Sequence, residues 1–200
     1  MKTIGITGGI GAGKSEVTRY IEKHYNAKVI YADEVAHLLE KPGHECYAEI
    51  VKLLGKDILD SEGFIVNSKM AEKIFNNDEL KGKVNEIIHP AVKKYILETI
   101  ESNRQAGNYD YLVVEAALLL EEGYKSILDE LWYVRADEDI RRERLRNNRG
   151  YSDAKIDAIF AAQLSDETFI NNCDVVIDNS KTIVDFERQI DEKMLANIKD

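Results

Sequence analysis

The sequence predicts an α/β fold, a five-stranded, mainly parallel sheet flanked by helices. Three observations predict it. Short apolar runs alternate with helix-patterned stretches along most of the 200 residues, the order that builds parallel sheets through helical crossovers. The first apolar run leads into Gly8-Gly9-Ile10-Gly11-Ala12-Gly13-Lys14-Ser15, which satisfies G-x-x-x-x-G-K-[ST] at every fixed position. The stretch after it, 16–22, is patterned as a helix, so the glycine-rich segment joins a strand to a helix. That context makes the segment a phosphate-binding loop and the core a P-loop NTPase core.

The loop dictates chemistry as well as fold. Glycines let successive backbone N–H groups turn inward around a phosphate chain. The following helix adds the positive end of its dipole. Lys14 is placed to reach the β- and γ-phosphates, and the Ser15 hydroxyl to ligate Mg²⁺. The chain is therefore expected to bind a nucleoside triphosphate.

The remaining elements follow in order. Strands are expected at 3–7, 28–31, 111–114, 131–134 and 175–177, and helices at 14–23, 152–163 and 182–198. The last helix opens on Thr182-Ile183-Val184-Asp185, a capping-box pattern. About eighty residues with helical patterning separate the second and third strands, too many for a simple crossover. They predict a helical insertion, with helices at 78–88 and 91–105. Pro90 disfavours helical geometry at His89, so a break is expected between them.

Composition narrows the partners. The formal net charge is −10, which argues against a general nucleic-acid or membrane-surface role. Cys46 and Cys173 are the two cysteines; they form no metal spacing or disulfide framework, so a reducing cytoplasm is expected. The loop glycines begin too early for a secretory leader. The longest apolar run, 112–120, contains Glu115 and is short of a membrane span.

In open α/β sheets ligands bind beyond the carboxyl ends of the strands. Asp33 follows the second strand and Glu115 ends the third. Phosphoryl transfer to an alcohol needs a group that takes or orients the hydroxyl proton, and an acidic residue near Mg²⁺, directly or through water. Asp33 suits the first role and Glu115 the second. Each also has an ordinary structural role, Asp33 as a helix N-cap and Glu115 as a solvated strand end. After the fourth strand come Arg141, Arg142, Arg144, Arg146 and Arg149. Most read as a solvated helix face with i,i+4 pairs such as Asp137/Arg141. Small-molecule kinases of this architecture close an arginine-bearing lid over ATP. Residues 141 and 144 share one helix face and 142 and 146 another, and spacing does not choose between them.

Taken together the motifs resemble the dephospho-coenzyme A kinase family over nearly the whole chain. The resemblance rests on the loop, on Ala32-Asp33, on Ile87-Ile88-His89-Pro90-Ala91-Val92 and on Leu118-Leu119-Leu120-Glu121. It rests also on Arg144-Leu145, on Ala161-Ala162-Gln163 and on Asp174-Val175-Val176-Ile177-Asp178-Asn179. It implies ATP-dependent phosphorylation of the ribose 3′-hydroxyl of dephospho-coenzyme A, with Mg²⁺, in a cytoplasmic enzyme needing no obligate protein partner. It implies a single kinase domain over 1–200: core 1–39, 109–135 and 172–200, helical acceptor-binding insertion 40–108, and a short helical lid at 136–171. Asp33, Lys14 and Arg144 would be catalytic. Gly8 through Ser15, Glu16, Arg144 and Asn179 would hold ATP. Asp33, His89, Leu118 and Glu121 would face the acceptor, and Ser15 and Glu115 the metal.

The chain departs from the family pattern at several positions. Glu16 replaces the usual threonine and is expected to point away, since that position works through its N–H. Asn67-Ser68 stands where an arginine is common. Glu115-Ala116-Ala117 carries Glu for Asp and lacks a proline. Asn148 falls where a second lid arginine is usual, and Arg149 beside it is taken as the substitute. Another kinase on the same core, a GTP-dependent switch and a silent nucleotide-binding relative are the competing readings. The switch lacks a guanine-reading Asn-Lys-x-Asp stretch, although Asp60-Ser61-Glu62-Gly63 matches Asp-x-x-Gly inside the insertion.

Overall fold

The computed structural model describes residues 1–75 and 77–196. In chain order these form β1 (Lys2–Thr7), α1 (Lys14–His24), β2 (Ala27–Tyr31), α2 (Ala32–Leu39), α3 (Tyr47–Leu54), α4 (Asn67–Ile74) and α5 (Asp78–Ala106). There follow β3 (Tyr111–Glu115), β4 (Glu130–Arg135), α6 (Glu138–Arg149), α7 (Asp153–Ala161), α8 (Asp166–Asn172), β5 (Val175–Asp178) and α9 (Ile183–Ala196). The chain divides into two compact units, Met1–Val29 with Ala106–Asp200, and Ile30–Gln105.

The first unit holds the sheet, in the order β2-β3-β1-β4-β5, with β2 beginning in this unit and ending in the other. β1 pairs in parallel with β3, from Lys2↔Tyr111 to Ile6↔Glu115, and with β4, from Ile4↔Glu130 to Thr7↔Tyr133. β4 pairs in parallel with β5. A central parallel strand is covered on both faces, which is why residues 3–7 of β1 and 111–114 of β3 are buried without alternation. On one face Ile4, Ile6, Val113, Trp132, Val134 and Ile177 pack with Val17 and Ile21 of α1 and Phe186, Ile190 and Met194 of α9. On the other, Tyr133 stacks on Phe169 of α8, with ring centroids 4.5 Å apart.

Helix ends follow their local chemistry. Thr182 Oγ1 accepts from the Asp185 N–H and donates to its carboxylate, so the N-cap half of the expected capping box forms and Asp185 returns to the Thr182 hydroxyl. Residues 197 and 198 of that expected helix lie outside the described residues. Ser152 and Ser165 cap α7 and α8 by accepting from Lys155 N and Thr168 N.

The second unit is helical. Val35, Leu39, Ile50, Leu54, Ile58, Val84, Val92, Ile96 and Ile100 are buried. The expected break at His89-Pro90 is absent: α5 runs unbroken for 29 residues with Pro90 inside it. An interior proline costs about 3 kcal/mol. Burying each large aliphatic side chain returns about 1.5–3 kcal/mol, and α5 buries Val84, Val92, Ile96 and Ile100. Packing therefore overrides the local preference. Cys46 Sγ donates to the Ile87 carbonyl at 3.7 Å, one residue along from the Glu86 carbonyl that Pro90 cannot serve. Asp60-Ser61-Glu62-Gly63 is a turn, with Asp60 Oδ1 accepting from Glu62 N and Phe64 N between the bridged residues Leu59 and Ile65.

Candidate active site

The phosphate-binding loop spans from the end of β1 to the start of α1. Gly8 is required by close approach: a Cβ there would lie 2.4 Å from the Val134 carbonyl oxygen. Gly13, at φ 102°, is the left-handed N-cap of α1, and a Cβ there would lie 2.1 Å from Asn179 Nδ2. The Ala12 N–H bonds back to the Gly9 carbonyl at 3.2 Å, closing the turn. Lys14 Nζ reaches across the loop to the Gly8 carbonyl at 2.9 Å. Ser15 is exposed in the first turn of α1, whose leading N–H groups have no intrahelical partner.

The carbonyls of the loop are held from behind. Arg144 Nη1 donates to the Gly11 and Ala12 carbonyls at 3.2 and 3.4 Å, and its Nη2 to the Asn179 carbonyl at 3.1 Å. Asn179 is buried and donates Nδ2 to the Ala12 carbonyl and to Glu16 Oε2, both at 2.9 Å. Glu16 thus does not point away from the loop as expected. Its carboxylate accepts the second proton of the Asn179 amide, which would otherwise be left unsatisfied beside the loop.

α6 divides its arginines by face. Arg141 and Arg144 meet the loop, with Arg141 Nε on the Ile10 carbonyl at 2.9 Å. Arg142 pairs with Glu138 and Asp157, and Arg146 with Asp153. The expected Asp137/Arg141 pair does not form. Asp137 instead takes Arg135 at 2.7 Å, because the inward face of α6 carries Arg141 to the loop. Arg149 ends α6, exposed, with Tyr151 as its neighbour. Gln163 Oε1 accepts from Arg141 Nη2.

The acidic candidates fall in different units. Glu115 is the half-buried last residue of β3, in register with Ile6 just before the loop. The next two residues lock that corner: Ala116 N donates to the Ile6 carbonyl at 3.2 Å, and Thr7 Oγ1 to the Ala117 carbonyl at 3.0 Å. Leu118 is 45% exposed and Glu121 is exposed, both in the turns after β3. In the second unit, Asp33 is exposed in the first turn of α2. It is not the N-cap: Tyr31 holds that position and no side chain caps it. His89 lies half-buried in α5.

Two features were missed in the sequence. The first is Arg135, whose guanidinium binds Asp137, Asp166 and Asp178 at 2.7, 3.0 and 3.3 Å. It thereby ties the start of α6, the start of α8 and the end of β5 together. The second is α8 itself, although Ser165 followed by Asp166 and Glu167 is a helix-start signal. Tyr133, largely desolvated and bonded to Asp166, has its pKa raised. Burial pushes the Cys46 and Cys173 thiols up to about 11, so both stay protonated near neutrality.

A phosphate loop on the first strand of a parallel sheet, backed by a basic helix, defines a P-loop kinase. The model of the family described as CoaE, dephospho-CoA kinase, matches residues 2–185. A dephospho-CoA kinase of Geobacillus kaustophilus is 35% identical over 188 residues, which cover 94% of this chain and 92% of the relative. The crystal structure of TT1252 from Thermus thermophilus superposes with a TM-score of 0.83 at 23% identity, covering 98% of this chain and 97% of its own. The structure of dephospho-CoA kinase from Campylobacter jejuni gives 0.67 at 21% identity, with coverages of 98% and 97%. The chain belongs to the dephospho-CoA kinase family.

Proposed function

We propose that this protein transfers the γ-phosphoryl group of ATP to the ribose 3′-hydroxyl of dephospho-coenzyme A, giving coenzyme A and ADP. Membership of the family carries the reaction class and the acceptor. The observation within the molecule that carries it is the braced loop, with Lys14 across its mouth and three side chains on its carbonyls. In this reading Gly8 through Ser15 hold the phosphates through backbone N–H groups, and Glu16 and Asn179 fix the start of α1. Lys14 and Arg144 supply positive charge toward the transferring group. Asp33 takes or orients the proton of the acceptor hydroxyl. His89, Leu118 and Glu121 contribute to acceptor binding; Leu118 has the exposed apolar surface such a role needs. The segment 136–171 acts as the lid, and Arg149 remains its second arginine candidate.

The donor set fits Mg²⁺. Ser15 offers a hydroxyl and Glu115 a carboxylate, and the described residues hold no cluster of three or more metal-ligating side chains. Few protein oxygens suit a hard cation that keeps several waters and takes its other ligands from nucleotide phosphates. When bound, the ion would neutralise phosphate charge. No described helix is long and apolar enough to cross a membrane. We assign the reaction to the cytoplasm, with ATP and dephospho-coenzyme A as its partners and neither nucleic acid, membrane nor an obligate protein partner required. The support is the acidic charge and two free thiols.

An acceptor panel tests this reading. Purified protein with MgATP should show kcat/KM for dephospho-coenzyme A at least about 10³-fold above shikimate, gluconate or nucleosides, in line with discrimination by hydrogen-bonded sites. Equal or better turnover of another alcohol would overturn the acceptor assignment.

A further inference from the structure

Arg141 differs from the other arginines of its helix in the combination of its contacts, although Arg142 also lies over the Phe160 ring, at 5.4 Å. The Arg141 guanidinium lies over that ring 4.3 Å from the centroid. Nε donates to the Ile10 carbonyl at 2.9 Å while Nη2 donates to Gln163 Oε1. The same Nη2 would lie 2.3 Å from a Cβ built on Gly9, so the side chain rests against the turn of the loop. Among the described residues it makes no ion pair; Glu138 and Asp166 act on it only from longer range. Burial lowers its pKa from the usual arginine value, and it remains charged near neutrality because that value is so high.

The peptide bond explains what such a contact does. In a trans peptide the carbonyl and the next residue's N–H point to opposite sides of one rigid plane. Fixing the Ile10 oxygen from behind therefore fixes the direction of the Gly11 N–H. Arg144 and Asn179 do the same for the Gly13 N–H by holding the Ala12 oxygen. We propose that Arg141, itself held by Gln163 and Phe160, is a positioning residue that aims the Gly11 N–H at the nucleotide phosphates. This rests on the nucleotide-binding reading above. Arginine is needed because one planar fork serves Ile10 and Gln163 together while its face stacks on a ring, which a lysine ammonium cannot do.

The test measures MgATP affinity by calorimetry without acceptor, beside steady-state kcat and KM. Arg141→Lys keeps the charge and loses the fork, so the Kd for MgATP should rise about tenfold, as expected for lost charge-assisted bonds. The kcat at saturating ATP should stay within about threefold. Gln163→Ala should shift Kd in the same direction by less, and the double variant should fall short of the product of the two effects. Arg146→Ala, on the outer face, should leave Kd unchanged. If Arg141→Lys is thermally unstable, Gln163→Ala decides, since that side chain has no other hydrogen bond among the described residues. Wild-type affinity in both Arg141→Lys and Gln163→Ala would overturn the positioning role. So would a lost kcat with Kd unchanged, which would make Arg141 act on the phosphoryl group itself. Failure of the wild-type protein to bind MgATP would instead remove the nucleotide-binding reading, and this proposal with it.

Discussion

The two faces of α6 carry the same residue type to different ends. Arg142 and Arg146 face outward and are neutralised by Glu138, Asp153 and Asp157. Arg141 and Arg144 face inward, and their hydrogen-bond acceptors among the described residues are backbone carbonyls and a side-chain amide. The carboxylates of the outer pairs are all exposed, so these are surface ion pairs worth roughly 0–1 kcal/mol, although Arg142 itself is half-buried. Neither inner arginine makes an ion pair among the described residues, so the pair brings positive charge to the phosphate loop. Positive charge held at a phosphate loop, with its hydrogen bonds satisfied by the loop itself, is the arrangement expected of an anion-binding site. An arginine's role on this helix is thus set by its partner, and the partner by which face the helix turns to the loop.

Four substitutions break or sharpen that comparison, in falling order of effect. Arg144→Ala removes an inward charge and its hold on Gly11 and Ala12. The kcat should fall on the order of 10³-fold, the lower range for an arginine acting on phosphoryl charge. A rise in KM for ATP with kcat kept would make it a ground-state binding residue. Asp33→Asn asks the same of a carboxylate, since Asp33 makes no ion pair and caps no helix among the described residues. Turnover should drop about 10²–10³-fold, within the span of general-base contributions. ATP affinity by calorimetry should hold; turnover within about threefold of wild type would remove the role.

Glu115→Gln keeps shape and loses charge. The Mg²⁺ concentration for half-maximal activity should rise, by about tenfold for one lost carboxylate contact. An unchanged titration would leave Glu115 a structural corner beside Ile6. Arg146→Ala is the smallest: unchanged kinetics and a Tm within about 3 °C of wild type, as for an exposed pair. A large kinetic loss there would erase the distinction between the faces.

Much of this was legible in the chain. The loop motif and the five apolar runs are local signals, and each found its strand within one or two residues. The Thr182 N-cap, paired with Asp185, is equally local. What failed depended on packing. Pro90 stays helical because α5 is held by apolar side chains far along the sequence. Glu16 turns back because Asn179, 163 residues later, offers it a proton. Spacing placed Arg141 with Arg144 on one face, but only the folded helix shows which face meets the loop. Arg135 gave no signal, since its three carboxylates come from separate elements.

The central claim is phosphoryl transfer to one hydroxyl. ³¹P NMR of the reaction of purified protein with MgATP and dephospho-coenzyme A tests it most directly. The account predicts one new monoester resonance, on the ribose 3′-oxygen, growing one for one with ADP. Phosphate appearing as free inorganic phosphate, or on any other oxygen of the acceptor, would contradict it.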